Sequence, residues 1–382
     1  MRRTVYNDEH KAFGEAVAAF LASEVTPYQS EWEEAGVVPR KLYTALARLG
    51  VAGIQVPEEY GGGGETSFLF NCVVTEQVAY ARATLGSLRV HTDVVMPYIL
   101  AYGSAEQRQR WLPGMASAEL MSSIAMTEPS TGSDLAGMAT SARRSADGSW
   151  VLSGSKTFIT GGSQSDLVVV VARTSKSDNR RDGLSLLVVE EGMPGFQRGR
   201  RLKKLGLLAQ DTAELFFDDV PVPAANLLGE EGRAFDYLGG NLAQERLSIA
   251  VNSQAQAVAA LAVTADYVRD RKVFGNALSS FQNTKFVLAE CQSHVAAGQA
   301  MVDQAMTSHE RGELAPAEAA TVKLFCSEMQ GRVVDACLQL HGGYGYIRDY
   351  DISRLYADAR VSRIYGGTSE VMKSIIAKSM GL

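Results

Sequence analysis

The sequence contains only four cysteines and five histidines in 382 residues, and neither set has metal-ligand spacing. The cysteines lie far apart, with no Cys-x-x-Cys pair, and are most simply small buried apolar side chains: Cys72, Cys291, Cys326 and Cys337. Histidines without ligand spacing argue against a structural or catalytic metal. We therefore expect a metal-free protein.

Long apolar runs and an excess of basic charge are also absent. No stretch approaches the ~18 apolar residues of a membrane span, and the strongest run is Leu167 to Ala172. No apolar run follows Arg2 and Arg3, so no signal peptide is expected. The net charge is -6, and the densest basic cluster, from Arg198 to Lys204, is most simply a solvated loop. The sequence predicts a cytoplasmic protein without a membrane span or a nucleic-acid partner.

Three segments with different sequence patterns follow one another along the chain. Residues 1–121 have helical periodicity, interrupted by four glycines at 61–64 that are most simply a flexible surface loop. Residues 122–229 contain short β-branched runs separated by turn dipeptides, typical of an antiparallel sheet or small barrel. Residues 230–382 contain long helical runs with short connections, typical of a four-helix bundle. The predicted fold is α+β, with helical, β and helical domains in that order.

Glycines cluster near the C-terminus, between apolar helical runs. They are Gly342, Gly343, Gly345, Gly366 and Gly367. Such a cluster indicates that the backbone passes very close to something bulky. Taken alone, a Gly-Gly pair beside a histidine is more often a tight helix connection than a ligand site.

Two motifs in the β segment suit a flat, polar-edged ligand. The run from Met126 to Met138 combines proline, glycine and hydroxyl residues in a loop whose backbone N–H groups can face an anion or a ring edge. In the run from Gly154 to Gly162, Phe158 and Thr160 stand two residues apart on a strand and face the same side. One can cover a ring while the other hydrogen-bonds its edge.

These runs, together with Glu245-Arg246, Arg271 to Gly275 and the C-terminal glycines, resemble the acyl-CoA dehydrogenase family. The likeness covers essentially the whole chain, in order and at the expected spacing. It implies that FAD binds between the β domain and the C-terminal helices. It also implies a homotetramer in which a neighbouring subunit completes each cofactor site.

The resemblance implies contacts with FAD at many positions. The flavin ring is expected to contact Met126, Thr127, Phe158 and Thr160. Near the FAD phosphates and the pantetheine arm of the substrate we expect Ser133. A neighbouring subunit is expected to provide Arg271 for the pyrophosphate, where a guanidinium fits well, and to line the adenosine with Phe274, Gln339, Gly342 and Gly343. Two further cofactor contacts are expected from Thr368 and Glu370.

The catalytic base is the point where this chain departs from the common family pattern. In many relatives a glutamate directly follows the tyrosine of a Tyr-x-Gly-Thr motif, and that position here is Gly366 after Tyr365. A minority, long-chain and isovaleryl-type enzymes among them, supplies the glutamate from another helix, directly before an arginine. Those positions are Glu245 and Arg246. On its own Glu245 is more simply a first-turn helix acid. The resemblance instead predicts it as the base, its pKa raised in a dry pocket.

The remaining substrate contacts follow from the same resemblance. The backbone N–H of Gly366, together with a ribityl hydroxyl of FAD, is expected to polarise the thioester carbonyl. Arg246 is expected near the base or the pantetheine arm, with Tyr365 and Gly367 also at the substrate. Ala243 stands where some relatives have a substrate-contacting aspartate, so that contact is not expected here.

The reaction implied is α,β-dehydrogenation of an acyl-CoA to its trans-2-enoyl thioester. Glu245 would abstract the α-proton, flavin N5 would accept the β-hydride, and an electron-transfer flavoprotein would take the electrons. Three alternatives stay open. They are the same reaction on a carrier-protein thioester, a flavin oxidase acting on a small substrate such as a nitroalkane, and a flavin-bearing binding protein without turnover.

Overall fold

The computed structural model describes residues 3–382, and its first part is helical, as predicted. The first helix begins after Asn7, whose side chain accepts a hydrogen bond from the backbone N–H of His10 at 3.0 Å. The helices of this part are α1 (Asp8–Glu24), α2 (Gln29–Ala35), α3 (Arg40–Arg48), α4 (Leu69–Tyr80), α5 (Met96–Tyr102) and α6 (Ala105–Ala116).

Two details of this helical part differ from the sequence-based expectation. The helical periodicity over residues 86–102 predicts one continuous helix, but the structure has a π-helical segment, Val90–Val95, followed by α5. Such wide turns are often found at functional sites. The four glycines at 61–64 are not an open loop, because each backbone N–H donates to a carbonyl within residues 53–58, including Gly64 to Val56 at 2.8 Å.

The central part is one eight-stranded sheet, ordered β6-β7-β3-β2-β4-β5-β8 with β1 beside β4. The strands are β1 (Ser122–Ala125), β2 (Ser141–Arg144), β3 (Trp150–Thr160), β4 (Leu167–Arg173), β5 (Leu184–Glu190), β6 (Phe196–Arg201), β7 (Thr212–Val222) and β8 (Leu227–Leu228). Most pairings are antiparallel, as predicted, but β1 and β2 each pair with β4 in parallel. Much of the basic run from Arg198 belongs to strand β6, so its interpretation as a loop was wrong.

The C-terminal part contains the four expected helices and one more. The four are α7 (Ala234–Asp270), α8 (Gln282–Glu310), α9 (Pro316–His341) and α11 (Ser369–Ser379). The additional helix, α10 (Asp351–Ala359), buries Ile352, Leu355 and Ala359. A short hairpin, β9 (Lys272–Val273) and β10 (Asn276–Ala277), follows α7.

Helix α7 is the central element of this part. It is long and apolar enough to cross a membrane, but 72% of its most apolar window is buried inside the protein, which is typical of a core helix. All four cysteines are free and buried. Within residues 3–382, no group of three or more potential ligand side chains is arranged to hold a metal ion.

Candidate active site

Glu245 lies in α7 as a buried carboxylate, with 7% of its surface exposed. Its Oε1 accepts a hydrogen bond from the Tyr98 hydroxyl at 3.1 Å and another from the Asn241 amide at 3.2 Å. Burial raises the pKa of the Glu245 carboxyl, and the two hydrogen bonds partly oppose that shift. A carboxylate with a raised proton affinity in a dry setting is suited to general-base chemistry near neutral pH.

Tyr98 and Asn241 are site residues that sequence reasoning missed. Asn241 lies one helical turn before Glu245 and also donates to the Val94 carbonyl at 3.3 Å, which links α7 to the π-helical segment. Tyr98 is fully buried in α5. The i, i+4 spacing of Asn241 and Glu245 was readable in the sequence, but a partner 147 positions away was not.

Gly366 and Gly367 form a turn that requires glycine, with φ of 63° and 96°. A side chain at such angles is strained. The side chain of Ile249, one turn after Glu245 in α7, occupies the space that a Cβ on Gly366 would need. The fold thus brings the predicted base and the glycine turn to the same stretch of α7. The space left by Gly366 is filled by Ile249.

Arg246, adjacent to the base, is a buried cation without an ion-pair partner in the described part of the chain, residues 3–382. Its Nε has no hydrogen-bond acceptor there either. Burial lowers the pKa of the guanidinium, while the Glu245 carboxylate acts in the opposite direction. An incompletely paired guanidinium beside a carboxylate can attract an anionic or carbonyl-bearing ligand.

The two β-domain motifs are joined to each other directly. The Thr157 N–H donates to the Thr127 carbonyl at 2.9 Å, which ties the loop after β1 to strand β3. Next to it, the Lys156 ammonium donates to the Met126 carbonyl at 3.0 Å. The backbone positions predicted to face the flavin ring are therefore fixed by strand β3.

A buried ion pair also fixes the loop after β1. Lys156 Nζ lies 3.0 Å from Glu128 Oε1, and both side chains are buried. The Glu128 carboxylate also accepts the backbone N–H groups of Ala139 at 2.7 Å and Thr140 at 2.8 Å. These contacts close the loop at both ends. Sequence reasoning did not single out either charged residue.

Phe158 and Thr160 stand at the end of β3 in an unusual backbone. The register of β3 against β7 shifts between Lys156 and Ile159, and Phe158 has a φ of 59°. The Phe158 side chain is 67% exposed, while Thr160 is half-buried. Strain of this kind in a bulky residue is often found at functional sites. Met126 packs against the apolar cluster that contains Tyr98, which connects this side to the Glu245 side.

A second group of predicted cofactor residues gathers after α7 and α9. The Arg271 guanidinium lies 5.3 Å from the centre of the Tyr344 ring, so the C-terminal end of α7 contacts the segment Gly342–Tyr346 that follows α9. Phe274 is 95% exposed at a φ of 50°. An added Cβ on Gly342 or Gly343 would meet no atom within 4 Å. This group offers bare backbone, a cation and an exposed aromatic ring, and Gln339 is also exposed there.

The last predicted positions lie around the start of α11. Thr368 is the N-cap, and its hydroxyl accepts the Val371 N–H at 3.3 Å. Glu370 is exposed in the first turn, and Tyr365 is half-buried. Ser133 is exposed on the loop after β1. The combination of an exposed aromatic ring, loop N–H groups, open glycine backbone and an arginine fits a flat cofactor with an anionic pyrophosphate.

Comparison with known families accounts for nearly the whole chain. The N-terminal, middle and C-terminal domains of acyl-CoA dehydrogenase match residues 7–119, 123–220 and 232–381. The chain belongs to the acyl-CoA dehydrogenase family. The three matched segments correspond to the helical, β and helical parts of the fold, and the family prediction is confirmed.

Individual acyl-CoA dehydrogenases are similar along their full length. The long-chain specific mitochondrial enzyme of Rattus norvegicus is 44% identical over 380 residues, covering 99% of this chain and 88% of the relative. The acyl-CoA dehydrogenase structure from Geobacillus kaustophilus aligns with a TM-score of 0.98 at 43% identity, covering 100% of both chains. These matches confirm the fold and the enzyme class.

The cofactor prediction is also confirmed. A glutaryl-CoA dehydrogenase from Mycobacterium smegmatis, solved in complex with FADH2, aligns with a TM-score of 0.90 at 28% identity, covering 98% of this chain and 95% of the other. With the family membership, this makes the protein an FAD-dependent oxidoreductase. The roles of the individual site residues stay predictions.

Proposed function

We propose that this acyl-CoA dehydrogenase removes the α-proton and β-hydride of a saturated acyl-CoA to give the trans-2-enoyl thioester, with Glu245 as the base. The observation that carries the proposal is the buried Glu245 carboxylate, held by Tyr98 and Asn241 one helical turn before Ile249, which packs against Gly366. Gly366 cannot take a proton itself. Within this family, a carboxylate from a different position must therefore take the α-proton.

The residues around the base have complementary tasks. Glu245 takes the proton from Cα, and the Gly366 N–H donates to the thioester oxygen, where negative charge develops. Arg246 adds positive charge next to the base. FAD, when bound, supplies the hydride acceptor. The residues that would hold it are Met126, Thr127, Ser133, Phe158, Thr160, Thr368 and Glu370, with Arg271, Phe274, Gln339, Gly342 and Gly343 reaching the cofactor of a neighbouring subunit.

The proposal also includes the acyl chain length, the assembly, the location and the electron acceptor. The 44% identity to a long-chain enzyme supports a longer acyl chain as the substrate. The exposed Phe274 and open glycine backbone at 342–343 support assembly with further copies of the chain as a homotetramer. We also propose a cytoplasmic location and an electron-transfer flavoprotein as the acceptor.

The proposed function is tested by anaerobic titration of the FAD-loaded protein with saturated acyl-CoAs of different length and branching. Flavin absorbance reports reduction, and the wild type should be bleached by one chain-length class. Glu245→Gln should retain FAD but lose at least about a thousandfold in reduction rate, because no group remains to take the proton. Asp236→Asn removes an exposed α7 carboxylate that pairs with Arg233 at 2.8 Å, and serves as the matched control.

Different failures of this titration point to different alternatives. Bleaching by carrier-protein thioesters alone would replace the CoA substrate with a biosynthetic one. Rapid reoxidation by oxygen would indicate an oxidase. Wild-type rates in Glu245→Gln would remove Glu245 from the mechanism, whatever the substrate.

A further inference from the structure

Lys323 in α9 is a fully buried lysine for which the proposed mechanism has no role yet. Its Nζ donates a hydrogen bond to the Gly367 carbonyl at 2.8 Å. Across residues 3–382 it makes no ion pair with a carboxylate. The Gly367 carbonyl belongs to the second peptide unit after the one whose N–H, at Gly366, is proposed to contact the thioester.

Burying an ammonium group this way is unfavourable. Transfer of a charge out of water is strongly opposed unless a carboxylate compensates for it, and a single carbonyl does so only in part. Burial, with a smaller contribution from the Arg246 guanidinium, lowers the pKa of Lys323 to about 8. Glu328 and Glu370 raise it, but by less than burial and Arg246 lower it. A residue kept at such a cost to stability is a candidate for function.

The turn that Lys323 contacts is held on two sides. Ile249 of α7 packs against Gly366, and α9 holds the flanking residues through Glu328. The Glu328 carboxylate accepts the Ser369 hydroxyl at 2.6 Å and lies 3.5 Å from the Arg363 guanidinium. Within residues 3–382, Lys323 provides the only side-chain hydrogen bond to the glycine pair itself. Because two adjacent glycines have wide conformational freedom, a fixed contact at Gly367 restricts the orientations that their peptides can adopt.

We propose that Lys323 is a positioning residue that orients the Gly366–Gly367 turn, so that the Gly366 N–H is aimed at the substrate carbonyl. The proposal rests on the proposed function. Donors to a developing oxyanion act only when they are held in place before the reaction. A displacement of about 1 Å in such a group can slow turnover by up to a hundredfold.

The test compares Lys323→Met with a matched change on the same helix. Methionine has similar length and flexibility but no donor and no charge. Gln330→Met, the control, removes another fully buried α9 donor, which bonds to Gln256 at 2.6 Å and does not contact the turn. Amide hydrogen exchange of residues 361–372 is measured on the FAD-loaded proteins. Steady-state kcat and KM are measured alongside.

For Lys323→Met we expect faster exchange at 361–372 and a kcat reduced at least about tenfold, with KM changed less than about threefold. Gln330→Met should leave both exchange at this segment and kcat close to wild type. Unchanged exchange and kcat in Lys323→Met would overturn the proposal. If Lys323→Met does not fold, Lys323→Leu, which also lacks both the charge and the donor, supplies the same comparison.

The two proposals fail in distinguishable ways. If no acyl thioester reduces the wild-type flavin, the proposed function is wrong. Hydrogen exchange at 361–372 still shows whether Lys323 fixes the turn, because that readout needs no turnover. If the substrate is found but Lys323→Met turns over normally, only the role of Lys323 is wrong.

Discussion

Two buried lysines contact different segments of the candidate site, and they differ in their ion pairing. Lys156, under the β-domain loop, and Lys323, under the C-terminal glycine turn, are both fully buried, with a pKa lowered to about 8. Each donates to a backbone carbonyl of a predicted site segment, at Met126 and at Gly367. Lys156 also has a carboxylate partner, Glu128 at 3.0 Å, whereas Lys323 has none in the part of the chain that the structure describes.

This difference in pairing distinguishes a structural role for Lys156 from a role for Lys323 in the proposed reaction. On the β side the Lys156 and Glu128 charges are paired, and hydrogen bonds to the Glu128 carboxylate and the Met126 carbonyl fix the loop, as expected for a rigid surface under a flat ring. On the helical side Arg246, next to Glu245, and Lys323, at the Gly367 carbonyl, have no carboxylate ion-pair partner within residues 3–382. In the proposed reaction Glu245 loses its negative charge and the thioester oxygen gains it, and nearby positive charge stabilises that oxygen. Incomplete pairing there lowers stability and favours the reaction.

The strongest test of this comparison is Lys156→Met. The change leaves the Glu128 carboxylate buried without its counter-ion, so we expect the free energy of unfolding to fall by about 3 to 5 kcal/mol. Urea denaturation of the FAD-loaded protein measures the loss. The double variant Lys156→Met with Glu128→Gln removes the stranded charge and should recover part of it. A loss below about 1 kcal/mol would show that the pair does not support the loop.

The next test uses pH to measure what the charge of Lys323 contributes to the free energy of unfolding. The folded-state pKa of about 8 lies below the ordinary 10.5, so the folded protein binds fewer protons than the unfolded chain between these values and stability rises with pH there. Below pH 8 the unfavourable contribution is complete, roughly 3 kcal/mol at the usual conversion. We therefore expect Lys323→Met to be as stable as wild type or more stable at pH 7.

That advantage should shrink as the pH approaches 10.5. The measurement is the difference in unfolding free energy between wild type and Lys323→Met at pH 7, 8, 9 and 10. A variant that is several kcal/mol less stable at pH 7 would mean that Lys323 is a structural anchor like Lys156. A difference that does not change with pH would mean that its charge is not responsible.

The sequence predicted this site unevenly, for physical reasons. Glu245, Gly366 and the flavin-facing motifs stand in short patterns that local sequence displays. Lys156, Lys323 and Tyr98 do not, because their partners lie 28, 44 and 147 positions away and only the folded chain brings them together. A lysine within a helical run reads as a solvent-facing residue until its packing is known.

The same limit applied to the fold. The order of helical and β segments follows from hydrophobic periodicity and turn residues, and it was predicted. The π-helical segment at Val90–Val95 and the parallel pairing of β1 with β4 were missed. Both depend on what packs against them, since neither a wide turn nor the direction of a neighbouring strand leaves a pattern within its own residues.

The smallest expected effect comes from an ion pair on the same loop as Glu128. Asp134 lies 3.1 Å from Arg180, but the two side chains are 64% and 65% exposed. Water screens such a pair and its side chains lose conformational freedom to form it, so Asp134→Asn should change the free energy of unfolding by less than about 0.5 kcal/mol. Urea denaturation beside Lys156→Met makes the comparison direct. If Asp134→Asn and Lys156→Met lost similar free energy of unfolding, burial of the charge would not explain the loss in Lys156→Met. The contrast between paired and unpaired buried lysines would then lose its basis.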